Sequence, residues 1–223
     1  MKRITLILCA ATVLLFACNS NKTESETKTD ATSDKASSES ADKAKEETWV
    51  PVDSATMMKN MMAYGTPGAM HEMMASWNGT WTGDMTMWES DGAAPQKSTG
   101  TAVNTMIMGG KYQSSKHTGN MMGMPFEGMS IMAYDNATKE FTSSWVDNWS
   151  TGIMNMSGPW DASTKTLTLT GKMPDINRPG KECSFRETFK IIDDNTQHME
   201  MYGPDPKTGK EYKMMEIRMT RKK

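Results

Sequence analysis

Cysteine is scarce in this 223-residue chain, and the three present cannot cross-link it. Cys9 lies inside an apolar N-terminal run and Cys18 follows that run, so Cys183 alone falls where a domain can fold. One thiol makes no intramolecular disulfide, and no cysteine pair has metal-ligand spacing, so stability must come from a packed core. Histidine is as rare: His71, His117 and His198 fall on separate predicted elements, without the spacing of a zinc site. There is no phosphate-binding glycine loop and no nucleophile elbow. Gly109, Gly110 and Gly123 read as turn glycines. The apolar run Ile4 to Phe16 falls short of the roughly 20 residues a membrane-spanning helix needs. Nor is there an excess of charge: 25 Lys and Arg stand against 27 Asp and Glu, with no basic stripe, which argues against a nucleic-acid partner.

What is present begins with an export signal over residues 1–17. Lys2 and Arg3 form a positive n-region, Ile4 to Phe16 an apolar h-region, and Ala17 a small residue before the break. The stretch "LFAC", Leu15 to Cys18, resembles the lipobox of bacterial lipoproteins. That resemblance implies a diacylglycerol on Cys18, an N-acyl chain after cleavage, and hence stable membrane anchoring. Asn19 is not the aspartate associated with inner-membrane retention, which makes the outer membrane the expected address. Residues 18–48 supply the lipidated Cys and a tether of Ser, Thr, Lys, Asp, Glu and Ala. Such a segment buries too little apolar surface to offset its ordering entropy, and as a coil it reaches on the order of 30 Å. Residues 49–223 are then one nearly neutral domain, large enough for a core.

The hydrophobic period changes along that domain. Met57, Met58, Met61 and Met62 share one broad face of a helix capped by Asp53 or Ser54 and stopped by Gly65 and Pro67. A further helical turn or two places Met70, Met73 and Met74 on one side, His71 and Glu72 on the other. From Trp77 the period is two: Trp77, Trp81, Met85 and Met87 alternate with polar residues, as in a half-buried strand over 77–87. Further strands are expected near 97–108, 111–118, 127–134, 141–147, 151–157, 166–171, 183–192, 197–202 and 211–220, separated by turn sequences such as "YDNATKE", "DASTK" and "GPDPKTGKE". About ten short strands with a helical lead-in indicate an all-β fold, a single antiparallel barrel, with a two-sheet sandwich as the competing architecture. In "NMMGMPFEGMSIMAYD", Asn120 to Asp135, both faces of the strand are apolar, which predicts a cover over its outside from the N-terminal helix.

The motifs "WNGTWTG", "GMPFEGM", "AYDNATKEF", "TKTLTLTG", "MEMYGPD" and "GKEYKMMEIRMTR" are similar, in order and spacing, to the bacterial family called domain of unknown function fifteen seventy-nine, over roughly Pro67 to Arg221. The resemblance implies a lipocalin-like barrel and carries no catalytic residues with it. Gly79-Thr80-Trp81, with Arg218 or Arg221 on the last strand, also resembles the lipocalin pairing of a first-strand Trp with a closing Arg.

All of the 25 methionines except Met1 lie between Met57 and Met219, many as Met-x-Met pairs that share one face of a strand. Their first reading is as polarizable filler of an irregular core or a ligand-facing wall. A Cu(I) or Ag(I) site of thioethers is the sharper alternative, although a metal needs only three or four ligands and this excess is spread over the whole domain. Glu187 sits on the apolar face of its strand, between Phe185 and Phe189, while Glu216 shares a face with Arg218 two strands on. A charge inside a barrel is costly unless paired. These three therefore read either as a structural ion-pair network or as the polar end of a binding site, with acid–base chemistry as an extension. Cys183, on the apolar face, reads as a core residue. The expectation is a small apolar or amphipathic ligand held by Trp77, Trp81, Met85, Met87, Phe126, Met132, Glu187, Glu216 and Arg218, with no cofactor and no catalytic set. A barrel with a filled interior is the alternative.

Overall fold

A computed structural model describes residues 49–223; the expected signal peptide, Cys18 and the tether lie outside the described residues. Two helices lead in: α1 (Ser54–Gly65) and α2 (Ala69–Ser76). Asp53 caps α1 by accepting the N–H groups of Ala55 and Thr56 on Oδ1. Eleven strands follow, β1 (Gly79–Met87), β2 (Gln96–Ile107), β3 (Tyr112–Met121), β4 (Met124–Tyr134), β5 (Phe141–Asp147), β6 (Met154–Gly158), β7 (Trp160–Asp161), β8 (Thr166–Pro174), β9 (Glu182–Asp193), β10 (Thr196–Pro204) and β11 (Glu211–Arg221). They pair antiparallel in the order β6-β5-β4-β3-β2-β1-β11-β10-β9-β8-β7, and β6 also pairs with β8, which closes the sheet into a barrel. The expected barrel forms, and each of the ten predicted strands lies within a few residues of its predicted span. The two-residue β7 is the addition.

Local chemistry explains the turns. Asp135, Asp161 and Asp205 each accept the backbone N–H groups of the residues two and three positions on. In all three the residue four positions on, Lys139, Lys165 or Gly209, then takes a positive φ. Met122 and Gly123, both at positive φ, make the two-residue turn between β3 and β4, with Met121 paired to Met124. At the closing seam the backbones come too close for side chains. A Cβ on Gly158 would lie 2.0 Å from the Thr168 carbonyl oxygen, and one on Gly171 2.3 Å from that of Asn155.

Helix α2 plugs one end of the barrel. Its Met74 is fully buried and packs with Trp77, Phe141, Met156, Leu167 and Leu169 in the main core. His71, expected on the outer side of α2, is buried instead; its Nδ1 accepts the Gly68 N–H at the start of the helix, and its ring meets the edge of Tyr134. Helix α1 departs from expectation more strongly. None of its residues is buried, Met57, Met58, Met61 and Met62 are each more than half exposed, and the outer face of β4 is left partly open at Met129 and Ile131. The barrel holds α1 by its end: Asn136, in the β4–β5 turn, donates from Nδ2 to the carbonyls of Tyr64 and Thr66 at 2.9 and 2.8 Å. Main-chain carbonyls, which the methionine pattern does not encode, decide where this helix docks.

Candidate functional site

Above the α2 plug the barrel encloses a cavity of about 390 Å³, within the range of small-molecule sites. Ten of its lining residues are methionines, drawn from seven strands between β1 and β11, so the wall is apolar and deformable. At the end away from α2, Met121 and Phe126 from the β3–β4 hairpin and Trp149 from the segment after β5 border the opening. Asn148 ties these two segments together, donating from Nδ2 to the Pro125 carbonyl and accepting the Glu127 N–H on Oδ1. Trp145 lies flat over Gly128, where a Cβ would fall 2.4 Å from the ring. Its Nε1 donates to Asp147 at 2.8 Å, and Asp147 also accepts the N–H groups of Trp149 and Ser150.

Two walls are not apolar. On β3 the inward positions Gln113, Ser115 and His117 form a polar ladder running from the plug towards the opening. Its hydrogen bonds fix its protons. The Asn104 Nδ2 donates to the Trp77 carbonyl, which turns Oδ1 towards Ser115. The Ser115 hydroxyl must then donate to that oxygen, at 2.5 Å. His117 Nε2, 2.8 Å from the same hydroxyl oxygen, must therefore be the donor in that contact, which leaves Nδ1 as a lone-pair acceptor. Burial of the ring holds its pKa down to about 4, so the neutral tautomer is the form present at ordinary pH. On the far side of the barrel, Glu187 points inward from β9. Its cross-strand neighbours are Leu169 and Met201, and burial alone pushes its pKa up to about 7. Among the described residues it has no hydrogen-bond or ion-pair partner.

Of the residues expected at a site, the fold brings Trp77, Met85, Phe126, Met132 and Glu187 together around this cavity. Trp81 has no accessible surface and belongs to a second core cluster with Ala102, Ile217 and Met219. Met87 is half-buried at the end of β1 and takes no part in the lining. Glu216 and Arg218 do not reach the cavity. In β11 Ile217 and Met219 face inward, so the two charged residues between and beside them face out. Arg218 is exposed. Glu216 pairs with Lys213 at 2.5 Å, and the same ammonium holds Glu200 at 3.1 Å. His198, Glu200 and Glu216 converge on the outer face, but the Lys213 ammonium already sits between the two carboxylates and pairs with both. Cys183 is half-buried, with its thiol pKa raised by burial, as suits a packed rather than a reactive cysteine.

The closing arginine is Arg221. Its guanidinium lies 4.2 Å over the Trp81 ring and donates to the carbonyls of Ser76, Asn78 and Asp194, while Trp81 Nε1 donates to the Trp77 carbonyl.

Barrel, plug and Trp–Arg clasp are the setting for comparison with known proteins. The family described as "Protein of unknown function (DUF1579)" matches residues 66–221. The chain belongs to that family. No curated protein matches the chain. Among solved structures it is similar to the crystal structure of Rv2717c from M. tuberculosis, with a TM-score of 0.53 at 10% identity, covering 71% of this chain and 100% of that one. At that identity the likeness is one of fold. The members of this DUF1579 chain's site that sequence reasoning missed are Asn104, Gln113, Ser115 and His117. On β3 the outward residues Ser114, Lys116 and Thr118 are polar as well, so no contrast between faces marked the inward ladder.

Proposed function

We propose that this DUF1579 protein is an exported lipoprotein whose barrel binds a small amphipathic molecule. The observation that carries the reading is the cavity: about 390 Å³, walled by methionine and aromatic side chains, with a few polar groups converging on it from β3 and β9. A barrel filled by its own side chains would leave no such space. The methionine wall suits a ligand of variable shape, since thioether chains repack at little cost. The anchor reading rests on the signal and "LFAC" at Leu15 to Cys18, and Asn19 in place of aspartate supports an outer-membrane address, with a tether of about 30 residues between anchor and domain.

Native mass spectrometry of the protein drawn from its own host's membrane tests the binding. A reproducible organic adduct, lost when N-phenyl-1-naphthylamine is added in excess, is the expected result. A bare mass together with no fluorescence enhancement of that dye would refute it, and an adduct of copper mass removed by a Cu(I) chelator would replace it with thioether metal binding. Cys18→Ser should move the protein out of the membrane fraction.

A further inference from the structure

Among the described residues, the charged side chains that line the cavity are all of one sign. Two carboxylates line it, Glu187 and Asp147, and neither a lysine nor an arginine is among the lining residues. Asp147 is satisfied by the Trp145 indole and two backbone N–H groups. Glu187 has no hydrogen-bond or ion-pair partner among the described residues: half-buried on the cavity wall, it has Leu169 and Met201 as cross-strand neighbours and Phe185 and Phe189 on the same face of its strand. A carboxyl group that faces a largely apolar cavity without a partner is costly to ionise, and a site that keeps one calls for an explanation. The other titratable group facing the cavity, His117, is neutral and presents a lone pair, so it too offers an acceptor and no donor. Two positions from Glu187 along the same face, Phe189 stacks obliquely against Trp77, with centroids 5.3 Å apart, and both line the cavity.

Resting on the binding function proposed above, we infer that the ligand is a cationic amphiphile, a protonated primary or secondary amine on an apolar body, with Glu187 as its counter-ion. An ammonium group meets a charge-assisted hydrogen bond at Glu187, beside the aromatic side chain of Phe189. A carboxylate or phosphate headgroup meets two anions and a histidine lone pair. A neutral alcohol gains a hydrogen bond only. Binding is coupled to protonation: the amine requires ionised Glu187, so at pH 6 each binding event displaces close to one proton, and at pH 8.5 close to none.

The test uses octylamine, octanol and octanoate, three probes of equal apolar length, titrated calorimetrically into the full-length protein in lipid nanodiscs, with protein-free discs as the blank. At pH 8.5 octylamine should bind at least about tenfold more tightly than octanol, with octanoate the weakest. Repeating the amine titration at pH 6 in two buffers of different ionisation enthalpy should show the released proton. Glu187→Gln should reduce the preference for amine over alcohol to about threefold or less while leaving octanol binding in place. Equal binding of amine and alcohol, tighter binding of octanoate, or an amine preference that survives Glu187→Gln would overturn the assignment and leave the apolar cavity standing. If none of the three binds, the binding function itself fails. Should Glu187→Gln not fold, the three-probe order and the proton release in the unaltered protein decide the matter alone.

Discussion

Glu187 and His117 stand on opposite walls of one cavity and titrate in opposite senses. Folding raises the Glu187 pKa from 4.5 to about 7, so its neutral form favours the folded state below pH 4.5, and that contribution is lost as pH rises through 7. Folding lowers the His117 pKa from 6.5 to about 4, so its contribution is intact above 6.5 and lost as pH falls through 4. At about 1.4 kcal/mol per unit, each is worth on the order of 3 kcal/mol, and over the shared interval they offset each other. Single variants expose the hidden slopes. Relative to the unaltered protein, Glu187→Gln should gain stability in urea as pH rises from 4.5 to 7, and His117→Asn should gain it as pH falls from 6.5 to 4. Differences that stay flat with pH would mean that neither group is desolvated. Residue by residue, the sequence showed Glu187 because aromatic residues flank it two positions away on either side. The same period-two rule, applied to Met215, Ile217 and Met219, places Glu216 and Arg218 outside. His117 carried no such mark.

At the scale of elements, legibility followed local chemistry. Sequences "DNATK", "DASTK" and "DPKTG" announce their turns because an aspartate folds back on its own backbone, and such contacts need nothing from the rest of the chain. Strands with one polar face were equally plain. What local sequence could not supply was docking: α1 has the methionine stripe of a helix that covers a sheet, yet it is hung by its last turn from Asn136. The β6–β8 closure was unreadable for a related reason, since it depends on two glycines brought together from different strands. Gly158→Ala should therefore break the seam. The added methyl has no room beside the Thr168 carbonyl, and a loss of about 1–3 kcal/mol is expected by thermal or urea unfolding, with faster exchange of the β6 and β8 amides. An unchanged exchange pattern would show that the seam is not where the barrel is held shut.

For the whole molecule, the barrel is two sequential meanders, β1–β6 and β8–β11, joined where β1 meets β11. Alternation along each strand was enough to anticipate this architecture, because neighbours in sequence are neighbours in the sheet. The volume left inside was not, because it depends on how completely large side chains from all walls fill one space. Arg221 locks the β1–β11 junction to the end of α2 and to the β9–β10 turn, so Arg221→Ala should cost about 2–4 kcal/mol, and Arg221→Lys, with its single ammonium, should recover only part of it. Equal stability of all three proteins would show that the clasp is ornamental. The register gives that junction a mechanical character as well. Trp81 pairs with Arg221 at one rim and Met87 with Met215 further along, so the strands run in opposite directions from a shared edge. A pull applied between the start of β1 and the end of β11 loads their hydrogen bonds one after another, as a zip is loaded, and not all at once in shear. The force needed to start the opening is then set by the first tooth, the guanidinium lying on Trp81.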